Sequence, residues 1–204
     1  SCKTCKQAHP TALHEDKHDK KPHDNNNTNK PDVLEARVGA VNTSSKPNSQ
    51  QILCPMMVPV WISSASNPDK EIMVYALLDT QSNLSFVSNA IAGNLGRGSD
   101  AILEMSTMTS KDERFRCKKY EKLAVRGLDS KKKITIPVSY AKDIIGVNRE
   151  SIPTPDIARQ WDHLKNVADS IPNRQGCDVG ILIGYNCAQA LAPREFISGE
   201  GNEP

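Results

Sequence analysis

No apolar run in the chain approaches the roughly 18–20 residues that a membrane helix requires, so the sequence predicts no membrane partner. No basic–apolar–small signal segment follows Ser1, and 6 Cys in 204 residues are too few for a disulfide scaffold. These absences predict an intracellular, cytoplasmic protein with reduced thiols. A surplus of one charge sign is also missing. Residues 1–50 carry 8 Lys+Arg against 6 Asp+Glu, and residues 51–204 carry 18 against 18. Phosphate binding needs surplus positive charge, so the neutral body argues against a large nucleic-acid footprint there and leaves that role to the first segment. No internal repeat is present.

Apolar residues are scarce at one end only. The first 50 residues contain 11 and the remaining 154 contain 65. No core can be assembled from the first segment, and its polar tract His18 to Thr28 is expected to stay disordered. The expected organisation is a Cys/His segment at 1–17, a disordered linker at 18–51, a folded domain at 52–197 and a polar tail at 198–204. The chain reads as a piece of a longer polypeptide.

Within 52–197 the pattern is mostly β. Met57 to Ile62 is a strand candidate, Asn67-Pro68-Asp69 a turn, and Ile72 to Leu78 an apolar run of a buried strand's length. Leu84 to Val87 resumes the apolar pattern. Ser88 to Leu95 reads as a short helix stopped by Gly96. Ala101 to Met108, Phe115 to Leu128 and Lys133 to Tyr140 alternate as antiparallel strands do. Ile157, Trp161, Leu164 and Ala168 share helical spacing, which predicts one helix over 156–168. Val179 to Gly184 is a last buried strand.

The most informative feature is the carboxylate that ends the apolar run. Asp79 follows seven apolar residues, where a strand leaves the core and where an unpartnered carboxylate would be costly. By itself Asp79-Thr80-Gln81-Ser82-Asn83 is also ordinary turn chemistry.

Ala76-Leu77-Leu78-Asp79-Thr80-Gln81-Ser82, followed by Leu84-Ser85-Phe86-Val87, resembles the active-site strand and loop of retroviral-type aspartic proteases. About a hundred residues later, Ile181-Leu182-Ile183-Gly184-Tyr185-Asn186 resembles the apolar-apolar-Gly segment of that family, which leads into a short helix. A narrower resemblance is to the aspartic protease region of BEL/Pao-type retrotransposon polyproteins. Trp161-Asp162-His163-Leu164, Ala168-Asp169 and Cys177-Asp178-Val179-Gly180 carry it, together with His9-Pro10-Thr11-Ala12-Leu13-His14 in the preceding tail.

The resemblance implies a closed retropepsin-like barrel with short helices and an endopeptidase that processes its own polyprotein. Asp79 would be the catalytic residue, one per chain in a homodimeric site, with no cofactor for catalysis. Thr80, Gln81 and Ser82 would support the loop: Thr80 by bonding across the dimer axis, Ser82 by bonding near the carboxylate. Met105 to Cys117 would be the flap that closes over bound peptide. Only one Asp-Thr ends an apolar strand here, which excludes a single-chain, internally duplicated architecture. Gln81 stands where the family has Gly. The alternative, from a different class, is a catalytically silent protease-like domain that serves dimerisation or peptide binding.

Cys2, Cys5, His9 and His14 are spaced C-x2-C-x3-H-x4-H, and four of the five His lie within residues 9–23. Thiolate and imidazole are the ligands of tetrahedral structural zinc. The segment resembles the zinc knuckles of retroelement nucleocapsid regions, with a shorter middle gap and His as the last ligand. It implies zinc as a possible cofactor and nucleic acid as a possible partner, gripped through Lys3 and Lys6; a solvated His-rich tail is the other reading. Cys54, Cys117, Cys177 and Cys187 are expected to be buried thiols rather than catalytic ones, and Lys131-Lys132-Lys133 a solvated hairpin tip.

Overall fold

The computed structural model describes residues 33–38, 54–107, 113–143, 145, 147, 149–201 and 203. All of them fall within the compact unit Pro31–Pro204. The strands are β1 (Val33–Val38), β2 (Met57–Ser64), β3 (Asn67–Leu78), β4 (Ser85–Ser88), β5 (Ser99–Thr107), β6 (Glu113–Gly127), β7 (Ile134–Lys142) and β8 (Val179–Ile183). They form one sheet in the order β1-β5-β6-β2-β3-β8-β4-β7. A further pairing of β6 with β7 closes six of them into a hydrogen-bonded ring, from which β5 and then β1 extend. The mostly-β expectation is met, with α1 (Asn89–Ala92), α2 (Pro155–Ala158) and α3 (Ala188–Leu191) as the short helices. None is long and apolar enough to cross a membrane among the described residues.

Three expectations are corrected. Val33–Val38 lies inside the stretch read as linker, yet it pairs in parallel with β5 from Val33↔Ile102 to Val38↔Thr107. Its four apolar residues among six favour a strand once a partner strand is present. Asn67, Pro68 and Asp69 belong to β3; the reversal falls one step earlier, at Ala65 and Ser66, because Ser64 pairs with Asn67. Finally, the single helix expected over 156–168 is broken into α2 and two 3-10 turns, Asp162–Leu164 and Ala168–Ser170. Trp161 is extended, at φ −111° and ψ 124°. Asp162 and Asp169 are weak helix formers, and both are engaged in ion pairs, with Lys165 and with Arg159.

Each local element has an identifiable cause. Ser88 caps α1 by accepting from the Ala90 N–H, and Gly96 at φ +101° ends the turn that continues it. Thr154 caps α2 with Pro155 in the first turn. Ile62, Val87, Leu123, Ile136 and Ile181 fill the inside of the ring and have at most 1% exposure. Burying each such side chain contributes about 1.5–3 kcal/mol.

In the N-terminal half of β3, the Glu71 carboxylate receives the Arg126 guanidinium at 2.9 and 3.0 Å through Nε. The Lys133 ammonium lies 3.1 Å away, and Arg126 also lies over the Trp61 ring at 5.4 Å. The hydrogen bond from Arg126, then that from Lys133, lowers the Glu71 carboxyl from 4.5 to about 2. The folded value is thus below the unfolded one, so the contribution to stability is present above about pH 4.5 and is lost as pH falls towards about 2. Glu71→Gln should therefore lower the melting temperature at neutral pH, with the gap from wild type closing as pH falls through that window. Melting curves across that pH range check this, and a gap that widened in acid would contradict it.

Candidate active site

β3 and β8 run parallel, with Leu78 paired to Ile183, so both strands end at the same edge of the ring. Asp79 and Gly184 emerge there side by side, and the Asp79 N–H donates to the Ile183 carbonyl at 3.0 Å. The structure thus brings together the two sequence segments separated by about a hundred residues. The chain entering this edge is buried from Val74 to Leu77, and Asp79 itself is 9% exposed.

The Asp79 carboxylate is held on one side only. Its Oδ1 accepts from the Gln81 N–H at 2.8 Å. Its Oδ2 is buried and has no hydrogen-bond partner among the described residues. A buried carboxylate oxygen without a donor is uncommon in folded proteins.

The loop around it is laced to the end of β8. The Tyr185 N–H donates to the Ser82 carbonyl at 2.7 Å, and the Ser82 hydroxyl donates to the Leu84 carbonyl at 2.7 Å. The Gly184 N–H donates to Ser85 Oγ at 3.1 Å, and Ser85 Oγ donates to Asn186 Oδ1 at 2.7 Å. Asn186 Nδ2 completes the chain by donating to the Val138 carbonyl at 2.8 Å on β7. Four segments are tied together by five bonds.

The supporting residues divide. Thr80 and Gln81 are exposed at the loop apex, and Ser82 is buried. Ser82 does not bond near the carboxylate as expected; its hydroxyl turns to Leu84, and the backbone of Gln81 takes the place beside Asp79. A backbone N–H serves there whichever side chain position 81 carries. Ser85 and Asn186 lie in the two segments that carry the resemblance, which assigns neither of them a role. Their signal was a lone polar residue inside the apolar run Leu84-Ser85-Phe86-Val87, where all four residues of β4 are buried.

β5 and β6 form the expected hairpin, paired from Ser99↔Lys119 to Met105↔Glu113; its tip, 108–112, lies outside the described residues. Lys142 ties the hairpin to the body. Its ammonium is 5.7 Å from the Phe86 ring centroid, 6.0 Å from that of Phe115 and 3.5 Å from Met105 Sδ. Burial lowers its pKa. Of the four thiols expected to be buried, the structure buries only Cys187 and leaves Cys54 exposed. Burial also raises the thiols of Cys117 and Cys187, which keeps them protonated and unreactive, in line with a structural role.

Cys2, Cys5, His9 and His14 lie outside the described residues. Among the described residues, no group of three or more His, Cys, Asp or Glu is arranged to hold a metal. No protein-family model matches the chain, and no curated protein matches it either.

Proposed function

We propose that the chain is an aspartic endopeptidase of the retropepsin class, acting as a homodimer on peptide bonds of a retrotransposon polyprotein of the BEL/Pao type. The six-stranded ring is read as the closed barrel of such a protease, the β5–β6 hairpin as its flap, and the setting as intracellular. The observation that carries the proposal is the unpartnered, buried Oδ2 of Asp79 at the edge where β3 and β8 end. A second copy related by a two-fold axis through this edge would bring its own Asp79 against that oxygen.

Two carboxylates in contact cannot both ionise cheaply, so the pair shares one proton and titrates as a unit. One carboxylate takes a proton from a bound water as it attacks the scissile carbonyl carbon. The other gives its proton to the carbonyl oxygen, forming a gem-diol. The first carboxylate then passes the proton it took to the amide nitrogen while the second takes one back from a gem-diol hydroxyl, and the C–N bond breaks to release the amine and a carboxylic acid. Thr80, which is exposed at the apex, would bond its counterpart across the axis. The β8 lacing holds both loops rigid.

Zinc bound by Cys2, Cys5, His9 and His14, with nucleic acid gripped through the same segment, is the companion proposal for residues 1–17. The rival reading of the body is a silent dimerisation or peptide-binding domain, and the exposed Gln81 side chain at the apex is what favours it.

The test is the dependence of rate on protein concentration and pH. For a dimeric site, peptide cleavage rises with the square of concentration below the dimer dissociation constant and linearly above it. It is highest in the acidic range, where the pair holds one proton, and falls on both sides. Linear dependence in a sample that is monomeric throughout would overturn the dimeric site. Dimers that never cut at any pH would favour the silent domain.

A further inference from the structure

Gly93-Asn94-Leu95-Gly96-Arg97-Gly98 has the composition of a phosphate loop but follows a helix, so it offers no helix N-terminus to an anion. The fold gives it a different setting. Gly96 adopts φ +101°. Gly98 lies so close to β6 that a Cβ there would stand 2.9 Å from the Tyr120 ring and 3.0 Å from the Lys118 Cβ. The two glycines let the loop lie against the strand with Arg97 between them, at a cleft of about 390 Å3.

Lys122 lines the same cleft. It is the one non-glycine residue with positive φ among the described residues, at 55°. In the β6–β7 ladder the pairing lapses there, between Glu121↔Val138 and Leu123↔Ile136, opposite Pro137. Proline has no N–H to donate to the ladder, and the lapse leaves both Glu121 and Lys122 exposed, where strict alternation would send one inward. A lysine in the left-handed region is a strained choice where glycine would be comfortable.

The charges in the cleft do not cancel. Arg97, Lys119 and Lys122 face one carboxylate, Glu121, for a formal sum of +2. Glu121 is bonded to Lys119 at 2.6 Å. Neither Arg97 nor Lys122 makes a salt bridge among the described residues. Hydroxyl groups add neutral donors. Ser64 Oγ and Ser66 Oγ are 2.7 Å apart, and only one can donate to the other, which leaves one hydroxyl hydrogen for a ligand.

We propose that this cleft binds a phosphomonoester dianion. Such a group carries a charge of about −1.5 to −2 at neutral pH and three terminal oxygens. These suit the guanidinium fork of Arg97, the ammonium of Lys122 and a serine hydroxyl that line the cleft, whereas a carboxylate offers two oxygens and half the charge. The cleft borders the β2–β3 turn, at the opposite end of β3 from Asp79, so the site is separate from the proposed peptide reaction.

The test is a backbone-amide NMR titration of the full chain at fixed ionic strength, with inorganic phosphate and adenosine 5′-monophosphate, and with chloride as control. Phosphate should move the amides of 64–66, 96–99 and 119–123 saturably, with a Kd of about 1 mM or tighter. Equal affinity for the two probes assigns the site to free phosphate; tighter nucleotide binding assigns it to phosphate carried on an organic group. The double variant R97Q/K122Q should weaken binding by at least about tenfold, a loss typical of removing charge-assisted donors. Lys122→Gly should weaken it too while melting no lower than wild type, because glycine relieves the positive φ. Shifts that chloride reproduces, that never saturate, or that survive in R97Q/K122Q would overturn the proposal, and undiminished affinity in Lys122→Gly would remove Lys122 from the site.

Discussion

Asp79→Asn should reduce peptide cleavage by about 10⁴-fold or more while leaving the fold and the dimer intact. General acid–base catalysis contributes typically 10²–10⁴-fold, and in the proposed homodimer one substitution removes both members of the pair. The amide can still accept the Gln81 N–H through its oxygen, now at 2.8 Å from Oδ1, so the loop need not move. What it cannot do is take a proton from water at either oxygen position. Thermal melting and sedimentation should therefore match wild type while single-turnover cleavage disappears. Cleavage that persisted in a verified Asp79→Asn sample would exclude the aspartic mechanism outright. Gln81→Gly is the informative partner: it keeps the N–H that holds Oδ1 and removes only the exposed side chain. It should preserve or raise the rate if that side chain merely crowds the apex.

The parts of this site that were legible in sequence are those written in local pattern. A run of apolar residues ending at Asp79 announces a buried strand and its exit, and β3 is buried from Val74 to Leu77 as that pattern requires. The second apolar run, Val179–Ile183, is legible in the same way. That Ile181 to Ile183 should pass beside the Asp79 loop follows from the family resemblance alone, and the structure bears it out. The individual bonds had no signal in local pattern. The Asp79–Ile183 backbone bond and the Ser85–Asn186–Val138 relay connect residues 48 to 104 positions apart, and no periodicity encodes such a pairing. Local pattern also misled. Helical spacing over 156–168 counted apolar residues but not the weak helix propensity of Asp162, and the chain is extended at Trp161 just before it. β1 escaped because a short strand in polar surroundings declares itself only through its partner, β5.

Gly184→Ala should be among the most damaging single changes in the chain, destabilising it by about 3 kcal/mol or more, at or above the usual range for overpacking. The reason is space rather than backbone freedom. Gly184 has φ −97° and ψ −175°, which any residue adopts. A Cβ built there would lie 2.2 Å from the Leu84 carbonyl oxygen, 2.6 Å from its carbon and 2.8 Å from the Ser82 carbonyl oxygen. All three are backbone atoms, so no rotamer change can clear them. Moving the backbone would break the bonds that give the loop its shape: Tyr185 N–H to the Ser82 carbonyl, the Ser82 hydroxyl to the Leu84 carbonyl, and Gly184 N–H to Ser85. In a domain of this size such a loss lowers the melting temperature by roughly 6–12 °C. Gly93→Ala is the matched control, because a Cβ there meets nothing within 4 Å and the backbone is right-handed helical. That change should be neutral or stabilising by up to about 1 kcal/mol. If Gly184→Ala melted within about a degree of wild type, the close approach of the two segments would be wrong, and with it the rigid frame on which Asp79 is held.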